Sequence, residues 1–104
     1  MQKLIKHYES KIDFDSINYR TVKFYIPKNF TFLDVRLTSL RNLRLSVIIE
    51  ENDLDCQEFE LYLLIANNEV LNSIEYIKTV SFFDYIYHVF RKRNIRLYLE
   101  PSPA

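Results

Sequence analysis

The chain is 104 residues long and 48% apolar, with 14 lysines and arginines balanced by 14 aspartates and glutamates, and it contains no glycine. Zero formal charge removes any bulk attraction to nucleic acid or to a membrane surface. Without glycine there is no Walker loop, dinucleotide fingerprint or glycine-rich kinase loop, because each needs backbone to approach a phosphate closely.

The predicted elements are mostly strands, read from alternation of apolar and polar residues. Leu4 to Tyr8 reads as a strand or a single helical turn. From Arg20 to Pro27, Val22, Phe24 and Ile26 share one face and Thr21, Lys23 and Tyr25 the other. Pro27-Lys28-Asn29 is a turn, since proline sets φ and asparagine tolerates left-handed backbone. Thr31 to Thr38 alternates with Leu33, Val35 and Leu37 inward; Leu43, Leu45, Val47 and Ile49 repeat the pattern. Glu50 to Asp55 reads as an acidic loop, and Phe59, Leu61, Leu63 and Ile65 form the next inward face. Asn67-Asn68-Glu69 is the clearest turn. Ile74 to Phe83 is a strand with Ile74, Tyr76, Lys78, Val80 and Phe82 on one face. Ser81 to Arg93 has two readings. Ser81 and Asp84 fit a helix N-terminal capping pattern, whereas the β-branched and aromatic content favours a strand over Tyr85–Phe90. Ile95, Leu97 and Leu99 alternate with Arg96, Tyr98 and Glu100 in a final short strand, and 101–104 is a frayed tail.

These elements predict one mainly β domain over 1–104, a small antiparallel sandwich or barrel of about seven short strands. The helical reading of 81–93 gives the alternative, an α+β fold with one helix packed on a sheet. The expected core is Val22, Phe24, Ile26, Leu33, Val35, Leu45, Val47, Leu61, Leu63, Leu97 and Leu99. The single cysteine, Cys56, forbids an intrachain disulfide and points to a reducing compartment. No signal-peptide pattern opens the chain, and no apolar run reaches the roughly 18 residues of a membrane helix. A cytoplasmic protein is therefore expected.

Three strings, IPKNFTFLDVRL (Ile26 to Leu37), YIKTVSF (Tyr76 to Phe82) and YHVF (Tyr87 to Phe90), follow one another in this order. In that order they resemble a small β-rich domain of unknown function common in tailed-phage genomes, over roughly residues 19–93. The chain departs from that domain where its glycines fall; Lys78 stands where glycine is usual. The resemblance implies a small phage protein, acting inside a host cell, with no assigned activity.

Candidate chemistry is sparse. His7 and His88 are the only imidazoles and lie far from each other and from Cys56, so no metal-ligand spacing arises. Ser81, His88 and Asp84 could be drawn as a triad, but the nucleophile elbow that supports one needs glycines. Cys56 sits among Asp53, Asp55 and Glu58, which blunts a thiolate. Glu50, Glu51, Asp53, Asp55, Glu58 and Glu60 offer hard oxygen ligands for a cation, or a charge that steers a basic partner, but lack the calcium-loop pattern; a solvated loop is the simpler reading. Arg91, Lys92, Arg93 and Arg96 make a basic pole interleaved with Tyr85, Tyr87 and Tyr98, the combination that holds single strands. Charge gatekeeping of an edge strand accounts for the same residues. Tyr25, Tyr62, Tyr85, Tyr87 and Tyr98 fall on or near polar-face positions, and tyrosine is enriched in interfaces.

The expectation is a non-enzymatic protein-binding module with no cofactor and no metal. It engages a host or defence protein through an aromatic-bearing sheet face or a strand edge. The candidate partner-binding residues are Tyr85, Tyr87, Arg91, Lys92, Arg93, Arg96 and Tyr98. A homodimer is expected from the zero net charge and the tyrosines. The rival readings are a nucleic-acid-binding small barrel using the C-terminal basic strand, and an oligomeric small-ligand binder.

Overall fold

The structure is a computed structural model and describes residues 2–14 and 19–93. Those residues form seven strands and no helix: β1 (Lys3–Asp13), β2 (Arg20–Pro27), β3 (Phe30–Leu37), β4 (Asn42–Glu50), β5 (Cys56–Leu64), β6 (Ile74–Phe82) and β7 (Tyr85–Lys92). All pairings are antiparallel and the order is β3-β4-β1-β2-β5-β7-β6. β1 joins the two halves of the sheet. It pairs with β4 from Lys3 to Lys11 and then with β2 at Ile12 and Asp13. The outermost strands, β3 and β6, face one another, so the sheet is a nearly closed barrel. The helical alternative for 81–93 is overturned: Phe82 and Tyr85 pair across the two-residue turn Phe83-Asp84.

Alternation places the core. Val22, Phe24, Ile26, Val35, Leu45, Val47, Leu61 and Leu63 are buried as expected, joined by Leu37, Leu43, Ile49, Val80, Tyr87 and Val89. Each such aliphatic side chain contributes about 1.5–3 kcal/mol through burial. Leu64, Ile74 and Phe90 form a smaller cluster with Tyr19 and Tyr62 on the outer face. The asparagine turn forms as predicted: Asn67 takes φ 76° and Asn68 Oδ1 accepts from Ile65 N at 2.9 Å. The Pro27-Lys28-Asn29 turn also forms, with Lys28 N donating to Asp55 O at 2.7 Å.

Four expectations need correction or fall outside the described residues. Leu33 is 43% exposed rather than buried. It is an extra residue between Phe32, opposite Val47, and Asp34, opposite Ser46; this β-bulge flips the parity, so Phe30 and Phe32 pack inward before it and Val35 and Leu37 after it. A second bulge at Ile77 does the same in β6: Tyr76 is exposed and Ile77 packs on the core, while Ile74 belongs to the outer cluster and Val80 and Phe82 to the inner one. Ile65 lies beyond the end of β5 and is exposed, because the chain turns there. Leu97, Leu99 and the final strand lie outside the described residues.

The bulges sit on the two edge strands and bring Asp34 and Lys78 together across the seam as an ion pair. The Lys78 ammonium holds the Asp34 carboxyl below the usual carboxylate range, against a smaller opposing effect of burial. A carboxyl with a depressed folded pKa stabilises above its unfolded pKa, and that stability is lost as pH falls through the folded value. The pair is half exposed, so its contribution is under about 1 kcal/mol. Acid titration of stability should therefore show a loss below pH about 4 that is smaller in Asp34→Asn. An identical acid profile for the two proteins would refute a stabilising role for the pair.

Candidate interaction site

The start of β2, the β3–β4 turn, the β6–β7 turn and the residues after β1 and β5 converge on one end of the barrel. Arg20 comes from the core phase of β2, in step with Val22, Phe24 and Ile26, but at the mouth. Its guanidinium carbon lies 5.1 Å from the Phe14 ring centroid and 5.7 Å from that of Tyr87. Such cation–π contacts hold the planar group without neutralising it. Its Nε is buried and has no hydrogen-bond partner among the described residues. Arg41, from the β3–β4 turn, shares a cleft of about 240 Å³ with Arg20, Phe14, Leu40, Tyr85 and Tyr87. A second cleft of about 510 Å³ runs along the start of β7 past Arg20, Ile65, Asp84, Tyr85, Ile86 and His88. Among the described residues no carboxylate forms an ion pair with Arg20 or Arg41.

The hairpin tip beside these clefts is apolar. Phe83 is 87% exposed and has φ 55°. Positive φ at the first residue of a two-residue hairpin loop is a place glycine ordinarily takes, and a bulky residue there is strained. Its ring stacks edge-on against Phe82, with centroids 4.8 Å apart. Phe14, Leu40, Ile65, Tyr85 and Ile86 are also exposed; each lines one of the two clefts, and Tyr85 lines both.

The residues singled out from sequence divide. Tyr85 is at this end and exposed; Tyr87 is here too, but only 5% exposed, so its ring supports Arg20 rather than facing a partner. The burial follows from the parity of β7, which puts Tyr87 in step with Val89. Arg91 is at the other end of β7, its Nε donating to Glu75 Oε1 at 2.8 Å. Arg93 Nε donates to Asn72 O at 2.8 Å, and Lys92 points to the opposite face from Arg91. The basic run is thus divided between faces and partners and is no continuous track. Arg96 and Tyr98 lie outside the described residues. Arg20 and Arg41 were missed; an arginine in the core phase of an alternating run was the signal available for Arg20.

Among the described residues the candidate triad does not come together. His88 Nδ1 is 2.9 Å from Thr79 Oγ1, not bonded to Ser81, which pairs opposite Ile86. His7 Nδ1 is 2.7 Å from Ser46 Oγ, and Ser46 lies opposite Asp34 on its other side. That row places the hydroxyl between carboxylate and imidazole, whereas a relay needs the imidazole in the middle. Among the described residues no group of three or more His, Cys, Asp or Glu could hold a metal ion, and no helix is long and apolar enough to cross a membrane. On the outer face, burial and the neighbouring Glu60 push the Tyr62 phenol up to about 12. No family model matches the chain, and no match was found among curated proteins or solved structures.

Proposed function

We propose that the protein is a non-enzymatic protein-binding module that seats an acidic, partly apolar partner surface on the Arg20–Phe83 end of the barrel. One observation carries this reading: a phenylalanine held exposed in a left-handed conformation at the tip of the hairpin whose Tyr85 shares a cleft with two arginines that have no ion-pair partner among the described residues. Strained backbone of this kind collects at functional sites. Exposed aromatic and apolar side chains around an arginine are also the composition of interface hot spots. The partner completes Arg20 and Arg41 with carboxylates. The likeness of the Ile26–Leu37, Tyr76–Phe82 and Tyr87–Phe90 strings to a phage domain favours a host or defence protein as that partner.

The end face is favoured over a strand edge because β3 and β6 turn their edges toward each other. The homodimer stays in the proposal, through a surface other than this arginine-bearing end. The single-strand reading loses support from the division of Arg91, Lys92 and Arg93 among separate partners and faces.

The test is affinity capture from the native host with nuclease present, followed by reconstitution with the captured protein. Arg41→Glu should abolish binding of that purified partner while the fold is retained. An oligonucleotide titration at physiological salt should show no saturable response. Tight oligonucleotide binding, with an affinity falling steeply with salt at roughly 0.7 per phosphate contact, would establish the nucleic-acid reading instead.

A further inference from the structure

We infer that the cleft at the opposite end of the β3–β6 seam binds an uncharged, flat heterocycle with an amide-like edge, of nucleobase size. The inference is independent of the protein-binding reading, since the cleft shares no residue with the Arg20–Phe83 end.

The cleft encloses about 350 Å³ between Phe30, Phe32, Phe59, Ile77, Glu75 and Arg91. Its volume falls within the roughly 300–1,000 Å³ of small-molecule sites, and its lining combines apolar rings with a pair of polar groups. Phe30, Phe32, Phe59 and Ile77 face the core yet are only partly buried. The bulges at Leu33 and Ile77 break the edge-strand registers beside it. Apolar surface of Phe30, Phe32, Phe59 and Ile77 is left partly open beside them. Phe30 and Phe59 stand edge to face, centroids 5.0 Å apart at 70°, so the pair offers a flat ligand further offset or edge-to-face ring contacts.

The polar groups select the ligand's edge. Glu75 and Arg91 are directly opposed across β6 and β7. They join through Arg91 Nε and Glu75 Oε1 at 2.8 Å, which engages one donor and one acceptor. The terminal guanidinium nitrogens donate and the second carboxylate oxygen accepts. Together the pair is neutral, so an ion of either sign meets one like charge. A ring carrying a carbonyl next to an N–H satisfies both: the carbonyl accepts from Arg91 and the N–H donates to Glu75. The six-membered ring of guanine has that edge.

Guanosine is the probe, with benzimidazole as a ring lacking the amide edge and benzoate as a charged ring. Binding is read from the ring resonances of Phe30, Phe32 and Phe59 and from the Arg91 Nε–H signal. Guanosine should shift these saturably, and benzimidazole and benzoate should bind at least about tenfold more weakly. Glu75→Gln should weaken guanosine by about 10- to 100-fold, the range for hydrogen bonds to charged groups. Ile77→Trp fills the cleft and should abolish binding, with the remaining amide spectrum showing a retained fold. Absence of saturable shifts with guanosine, tighter binding of benzoate, or unchanged guanosine binding by folded Ile77→Trp would each overturn the assignment. Guanosine shifts confined to Arg20 and Tyr85 would do the same.

Discussion

Leu63→Ala is expected to lower the unfolding free energy by about 2–5 kcal/mol, a large part of the roughly 5–15 kcal/mol available to a domain of this size. Leu63 has no exposed surface. It lies in β5, between Arg20 of β2 and Val89 of β7, so the truncation leaves a cavity walled by two neighbouring strands that cannot collapse independently. Leu33→Ala supplies the contrast. The chemistry of the change is identical, but Leu33 is the unpaired bulge residue of β3 and is half exposed, so the cost should be under about 1 kcal/mol. Urea unfolding followed by circular dichroism separates the two. Equal losses would mean that the β3 bulge is misplaced and that the simple alternation read from Leu33 to Leu37 holds.

Phe83→Gly should move stability and binding in opposite directions. Glycine accepts φ 55° without the steric cost, about 1–2 kcal/mol, that a side chain bears there. Part of that gain is offset by the greater chain entropy of glycine and by loss of the ring contact with Phe82. Stability should be unchanged or rise by up to about 1 kcal/mol. Partner affinity should fall by about 2 kcal/mol or more, as for a central aromatic anchor. Thermal unfolding and a binding isotherm with the purified partner measure the two effects. A stable Phe83→Gly protein that still binds with full affinity would remove Phe83 from the interface.

Much of the barrel was legible because burial imposes a period of two; Val22 to Ile26 and Leu61 to Leu63 obey it without interruption, and Leu43 to Ile49 departs from it only at the buried Ser46. The errors fall where one residue is inserted into a ladder. A bulge has no composition of its own in a chain without glycine, so Leu33 and Ile77 look like ordinary strand residues. Of the candidate site, the tyrosines Tyr85 and Tyr87 were legible as such. Arg20, Arg41 and Phe14 come from segments separated by up to 27 residues in sequence, from Phe14 to Arg41, and the pairing of β1 with both β4 and β2 brings them together. The run Arg91-Lys92-Arg93 invited reading as one patch, but a strand sends successive side chains to opposite faces.

The placement of β1 has a consequence for how the chain reaches this state. Its residues pair with β4 at sequence separations from 31, for Lys11 with Asn42, to 47, for Lys3 with Glu50. During synthesis the first strand therefore has no β4 mate until some fifty residues have emerged. Such distant pairing closes large loops before it is rewarded, which places folding on the millisecond-to-second scale of all-β domains. An unmated strand is an aggregation hazard over that interval. Lys3, Lys6, Glu9 and Lys11 space charges along β1, and they act as gatekeepers until Asn42–Glu50 arrives.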